Sequence, residues 1–303
     1  MSTTFWILLT ACLVGASCGS IGCFLVLRRM VMMGDAISHA VLPGIACAYL
    51  LSGSRNPLPM LAGAAGAGVS TAWLSELIHK NGRVEPGAAM GVVFTLFFAI
   101  GVILVSGFAG NVDLDTDCVL YGEIAYVAWD TWTWGGVDLG PRAVWMLGTA
   151  LLIDLAFVTV CYRGLKICAF DAELARSLGF RVGLYHYLLM AATSLTAVAA
   201  FESVGAILVV AMFVVPPATA YLLTDRLPIM LGLSMGIGCL SAFSGFYAAG
   251  LVDCSVSGAM TVCGGAFFVL AALFSPSQGV VTRRILRKRG AIAGDSAEWA
   301  ESA

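Results

Sequence analysis

Charged residues are scarce in this chain. Only 11% of its 303 residues are Asp, Glu, Lys or Arg, while 60% are hydrophobic, and mean hydropathy is +0.94. A soluble domain carries about 25% charged residues. The shortfall excludes a soluble enzyme, a nucleic-acid binder and a secreted disulfide scaffold. The sequence motifs of several common chemistries are missing as well. None of the three lysines, Lys80, Lys166 and Lys288, follows a glycine. The chain therefore has no Gly-x-x-x-x-Gly-Lys-Ser/Thr loop and does not cradle a nucleotide by that route. ATP-driven work would need a second polypeptide. No His-Glu-x-x-His is present, and three histidines in total leave few ligands for an intramembrane metalloprotease. The ten cysteines form no Cys-x-x-Cys pair. Most, among them Cys12, Cys23, Cys47, Cys161, Cys239 and Cys263, sit inside apolar runs and read as small hydrophobes. No basic region precedes the first apolar run, so a cleaved signal peptide is not expected. Leu9-Thr10-Ala11-Cys12 lacks the basic start of a lipoprotein signal.

What remains is a series of long apolar runs with short charged clusters between them. A membrane-spanning helix needs about 20 mainly apolar residues. Nine stretches qualify: 5–27, 36–52, 57–78, 87–107, 142–162, 184–200, 205–223, 228–250 and 255–274. Backbone in contact with lipid must satisfy its own hydrogen bonds. The expected class is therefore all-α, a polytopic membrane protein with about nine transmembrane helices. Lys and Arg set its orientation. Arg28 and Arg29 follow the first span, Lys80 and Arg83 the third, and Arg163, Lys166, Arg176 and Arg181 the fifth. Arg226 follows the seventh, and Arg283, Arg284, Arg287, Lys288 and Arg289 the ninth. The other connections hold only Arg55 and, at a span border, Arg142. The consistent solution places the N-terminus outside and the C-terminus in the cytoplasm. Residues 1–280 form the transmembrane unit, and 281–303 a basic anchor with a polar tail.

The longest outside connection, 108–141, carries Asp113, Asp115, Asp117, Glu123, Asp130 and Asp138 together with Trp129, Trp132 and Trp134. It reads as a solvated loop with a short interfacial helix, or as an acidic surface that receives a cation or a partner.

The strongest chemical signal opens the second span: Gly34-Asp35-Ala36-Ile37-Ser38-His39-Ala40-Val41-Leu42-Pro43-Gly44. Ionisable residues inside a span are costly and mark function by default. Asp35 and His39 are four residues apart, on one helical face. A carboxylate and an imidazole at that spacing can grip one divalent ion, and O and N donors suit Mn²⁺, Fe²⁺ and Zn²⁺. Pro43 has no N–H and leaves the carbonyl of His39 free. One helix offers few ligands; two copies across a dimer axis would offer two Asp and two His. The other reading is a capping Asp35 and a His39 bonded to a neighbouring helix, and spacing alone does not choose between them.

Leu27-Arg28-Arg29-Met30 followed by Gly34–Gly44 resembles the signature of the membrane permeases of metal-uptake ABC importers, the manganese/zinc/iron family. Further stretches agree in order. Phe170-Asp171-Ala172-Glu173-Leu174-Ala175-Arg176-Ser177-Leu178-Gly179 resembles that family's cytoplasmic coupling segment. Val204–Val210 and Pro216-Pro217-Ala218-Thr219-Ala220 resemble its late-span motif. Asp253–Gly258 and Phe274-Ser275-Pro276 resemble its C-terminal end. The likeness covers roughly residues 5–280. It implies a fold similar to the vitamin B12 and siderophore importer permeases, in a bacterial cytoplasmic (inner) membrane. It also implies a separate ATPase subunit, an external metal-binding protein and a second permease copy or homologue, with Asp35 and His39 passing the metal. No covalently bound cofactor is implied, only a transported Mn²⁺, Zn²⁺ or Fe²⁺ ion, and no nucleic-acid partner.

Segment 170–179 also reads well on its own. Asp171 is a good N-cap and Glu173 suits the first helical turn. Phe170, Leu174 and Leu178 form an apolar stripe at i, i+4 and i+8, and Gly179 is a natural stop. Such a helix can lie on the lipid interface or dock in a partner's groove; the resemblance favours docking on an ATPase. Pro216 and Pro217 free the carbonyls of Met212 and Phe213, which makes a plain kink, a hinge or a cation contact. Glu202 ends a span on the outer side, as a metal entry residue or a water-facing acid. His79 and His186 read as interfacial. Two other functions remain to be weighed: an ion-coupled secondary transporter, for which Asp154 is the one midspan acid, and an ABC permease for a siderophore or cobalamin.

Overall fold

The computed structural model describes residues 3–53, 57–108, 124–134, 137–275 and 279. Nine long helices occupy the nine expected spans: α1 (Thr3–Leu27), α2 (Met32–Ser52), α3 (Pro57–Gly82), α4 (Pro86–Phe108), α5 (Arg142–Phe170), α7 (Val182–Val204), α8 (Ala206–Leu223), α9 (Leu227–Val252) and α10 (Val256–Phe274). Between α5 and α7 lies the short α6 (Ala172–Ser177). Eight of the long helices are apolar enough to cross a membrane. The ninth, α3, has the length at 26 residues, but its glycines and hydroxyl residues lower its hydropathy. Most bounds shift by a few residues from expectation, and two of the shifts matter here. α2 starts at Met32 rather than 36, so Asp35 lies within the helix. α5 continues eight residues past 162 and runs directly into segment 170–179.

Small residues let these helices touch. Helices in lipid associate by close packing rather than by hydrophobic exclusion. The middle of α1 reads Gly-Ala-Ser-Cys-Gly-Ser-Ile-Gly-Cys, and α1 is the most enclosed span, packed on α5, α7, α8 and α9. α1 and α9 run antiparallel in one register. A methyl group at Gly15 would lie 2.7 Å from the Gly238 carbonyl carbon. One turn on, Ser234 Oγ donates to the Gly19 carbonyl at 3.0 Å. Cys23 Sγ reaches the Met230 carbonyl at 3.7 Å, and Cys239 Sγ that of Cys12 at the same distance. Cys18, Cys23 and Cys168 are buried, as expected of small hydrophobes, whereas Cys47 is exposed. On the other side of the molecule α2, α3 and α4 form a second cluster, joined to the first through α7. A side chain at Gly44 would collide with Gly63, and one at Gly101 would lie 2.8 Å from Pro43 Cδ.

At the N-terminal end of α1, a 3-10 turn (Ile124–Trp129) leads into an antiparallel hairpin, β1 (Thr131–Trp134) with β2 (Val137–Pro141). Ile124 and Val127 are buried against the core, while Trp129 is exposed. In place of the solvated loop with a short helix expected in 108–141, the described part is a 3-10 turn followed by a hairpin. The acids Asp113, Asp115, Asp117 and Glu123 lie outside the described residues, as does the tail 280–303.

Candidate metal pathway and coupling segment

Asp35 and His39 come together as the spacing requires. Asp35 Oδ1 is 3.6 Å from His39 Nε2, and the two side chains are 41% and 34% exposed. Neither is sealed in the core. The His39 ring is flanked by Phe94 and Phe98 of α4, with ring centroids 5.8 and 5.7 Å away. These aromatics hold the imidazole to one side of α2. Depth follows from the neighbours. A side chain at Gly34 would meet Phe213, in the middle of α8, and one at Gly68 would meet both Ile37 and Ser194, in the middle of α7. The Asp35–His39 pair thus occupies the first two turns of α2, level with the middle of α8, and an ionisable pair within a span marks function by default. The pair supplies one oxygen and one nitrogen ligand. Among the described residues no group of three or more His, Cys, Asp or Glu is placed to hold a metal. The described residues thus place two donor groups side by side here and no third.

Pro43 sits one turn beyond His39 and packs against Gly101 of α4. Pro216 and Pro217 lie within a continuous α8 and are buried. The carbonyl of Phe213, which has no N–H partner four residues on, faces Gly22 of α1, and Pro217 packs on the same glycine. Here the prolines bring α8 close to α1. Glu202 lies in the last turn of α7; its side chain falls outside what the structure describes.

The second set of expected residues is brought together at the opposite end from the hairpin. Asp171 caps α6: its Oδ1 accepts from the backbone N–H groups of Glu173 at 3.0 Å and Leu174 at 2.9 Å. Glu173 lies in the first turn, where a negative charge favours the helix dipole. Gly179 takes φ +83° and ends the element, a conformation that favours glycine. Phe170, Leu174 and Leu178 are 62%, 50% and 58% exposed, so the apolar stripe faces outward. Beside it lies a groove of about 400 Å³ lined by Lys166, Phe170 and residues 225–229 of the α8–α9 turn.

One polar cluster at this end was not anticipated. Glu76 of α3 accepts from Tyr187 Oη of α7 at 2.7 Å and pairs with Lys80. His186 Nε2 lies 4.0 Å from Glu76 Oε2. Arg28, in the α1–α2 turn, is close enough to interact electrostatically with Glu76, His186 and Cys168. Burial lowers its guanidinium pKa from the usual value, with Cys168 and Glu76 acting the other way. His186 is thus a partly buried group that faces α3 across the helices. No spacing cue connects residues 28, 76 and 186; only folding does.

Comparison with known proteins agrees with this architecture. The model of the ABC 3 transport family matches residues 1–275. The manganese transport system membrane protein MntD of Bacillus subtilis is 52% identical over 285 residues, 94% of this chain and 96% of that one. The zinc transport system membrane protein TroD of Treponema pallidum is 44% identical, over 94% of this chain and 77% of its own. The structure of PsaBC from Streptococcus pneumoniae in complex with Fab superposes with a TM-score of 0.76 at 31% identity, covering 92% of this chain and 94% of that one. An inward-facing metal-chelate type ABC transporter shares the fold alone, with a TM-score of 0.60 at 15% identity over 88% and 85% of the chains. A polytopic all-α chain without a nucleotide-binding loop, matched from its first residue to 275 by one family model, is a membrane permease of the ABC 3 transport family.

Proposed function

We propose that this permease is the membrane subunit of an ATP-driven importer of divalent transition metal ions, in the bacterial cytoplasmic membrane. The half-open Asp35–His39 pair within the second span carries the reading. Its oxygen and nitrogen donors suit Mn²⁺, Fe²⁺ or Zn²⁺, and the relatives named above divide between manganese and zinc. Two ligands per chain leave the shell unfilled. Two copies, or this chain with a homologous one, would bring two carboxylates and two imidazoles to a shared axis. Such a site replaces part of the ion's hydration and still lets it leave.

The basic turns put segment 170–179 in the cytoplasm and the 124–141 hairpin outside. An external metal-binding protein would deliver the ion on the hairpin side. A separate ATPase would seat against Phe170, Leu174 and Leu178. Because α5 runs into this segment and α7 leaves it at Val182, a push there moves two spanning helices that pack on α1. Glu202 at the outer end of α7, Pro43 of α2 and the proline pair 216–217 on the inner half of α8 are candidate pathway or hinge positions.

The secondary-transporter reading needs a midspan acid that meets water. Asp154 is wholly buried, which argues against it. The deciding experiment reconstitutes the permease with its ATPase subunit in lipid vesicles. Uptake of Mn²⁺ or Zn²⁺ should require ATP hydrolysis. Uptake driven by an ion gradient without the ATPase would overturn the reading.

A further inference from the structure

Asp154 of α5 is the only Asp, Glu, Lys or Arg side chain fully buried among the described residues. Its Oδ2 lies 2.7 Å from Thr196 Oγ1 of α7. Its Oδ1 has no hydrogen-bond partner among the described residues. Thr196 Oγ1 is also 2.8 Å from the carbonyl oxygen of Ala192, one turn earlier on the same helix.

A threonine hydroxyl has one hydrogen and two lone pairs. A backbone carbonyl only accepts. Mid-helix threonines commonly donate to the carbonyl four residues back. With the Thr196 hydrogen directed to Ala192, the contact to Asp154 is a hydrogen bond only if Asp154 supplies the proton. Charge balance points the same way. A bare carboxylate here would be a buried, unpaired charge. The titratable group facing it from α1 is the Cys18 thiol; from α7 it meets the neutral Thr196, and no cation acts on it. The nearest basic residue along α5, Arg163, is nine positions further on.

We propose that Asp154 and Thr196 form an intramembrane proton-binding site that keeps Asp154 as the neutral acid and pins the two arms of the α5–α6–α7 hairpin. The carboxylate gains one proton from solvent, and the chain Asp154 Oδ2–H to Thr196 Oγ1–H to the Ala192 carbonyl closes. Nearer the tip the same two arms touch again where Gly164 admits the ring of Tyr185; any side chain at 164 would collide with it. Two cross-links make the hairpin one lever, with segment 170–179 at its end. The proton site stands on geometry alone. Its role as a pin rests on the reading that the ATPase docks on that segment.

The test uses the full permease–ATPase complex in lipid vesicles. Infrared difference spectra between the native protein and Asp154→Asn at neutral pH should show the carbonyl band of a protonated carboxylic acid, lost in the variant. Carboxylate bands in its place would overturn the proton site. Metal ions moved per ATP hydrolysed then test the pin. Asp154→Asn stays neutral and still donates to Thr196, so its ratio should match the native one. Thr196→Val, which keeps the volume and loses the hydroxyl, should lower the ratio by at least about fivefold, the smaller end of a typical coupling energy. An unchanged ratio in Thr196→Val overturns the pin. If Leu174→Asp also leaves the ratio unchanged, the docking reading has failed and the infrared result decides the proton site by itself.

Discussion

Asp35 on α2 and Asp154 on α5 both lie within spanning helices: Ile37 and Ser194 of α7 both approach Gly68 of α3, and Asp154 meets α7 at Thr196, two residues on from Ser194. Their surroundings differ. Asp35 is 41% exposed and faces an imidazole 3.6 Å away. Asp154 is 0% exposed and faces a hydroxyl. An open carboxylate beside a nitrogen donor can exchange water for a cation and release it again. A carboxyl group sealed beside a threonine has no room for an ion and, as proposed above, stays protonated. Exposure and the second donor, not the residue type, separate the proposed transport position from the proposed structural one.

The comparison can be broken most forcefully at the open pair. His39→Gln and the double change with Asp35→Asn should each cut metal uptake per inserted molecule by at least the ~10–100-fold that loss of a metal site's supporting groups costs. Because the two residues act as a unit, the double variant should be little worse than either single one. Additive losses in radiolabelled uptake would mean that they act separately.

The next effect concerns the route by which ATP reaches the open pair. Leu174→Asp puts a charge on the outward stripe of α6. ATP hydrolysis should continue while uptake falls by at least about fivefold. Parallel assays of phosphate release and uptake in the same vesicles check this, and unchanged uptake would remove 170–179 as the docking element.

A smaller effect sharpens the distinction between packing and transport. Gly15→Leu forces a side chain between α1 and Gly238 of α9, and should destabilise the protein by roughly 1–3 kcal/mol. Thermal unfolding in detergent should show the loss. Uptake per correctly folded molecule should stay near native, which would separate this crossing from the metal site.

Much of this was legible in the chain itself. The nine spans follow from the lengths of the apolar runs. The Asp35–His39 pair and the Asp171 cap follow from local spacing, because i,i+4 neighbours and N-caps are set within one helix. Three features were hidden. The extension of α5 to Phe170 crosses Arg163 and Lys166, whose charges look like loop residues but sit at the helix's water-facing end. The Glu76–Tyr187–His186–Arg28 cluster joins residues more than a hundred positions apart. The register of α1 on α9 depends on which glycines face one another, and glycine carries no hydrophobic signal. The state of Asp154 was equally out of reach, since burial and the Thr196 contact arise only from the packing of α5 on α7.

The most direct measurement of the central claim sets the two aspartates side by side. Asp35→Asn and Asp154→Asn are made in the same background, reconstituted with the ATPase, and assayed for ATP-dependent Mn²⁺ and Zn²⁺ uptake per inserted molecule. Asp35→Asn should lose nearly all uptake. Asp154→Asn should remain within about twofold of native, the scale of a change below ~0.5 kcal/mol. Near-native uptake in Asp35→Asn, or an equal loss in both variants, would contradict the assignment of the open pair as the place where the metal is held.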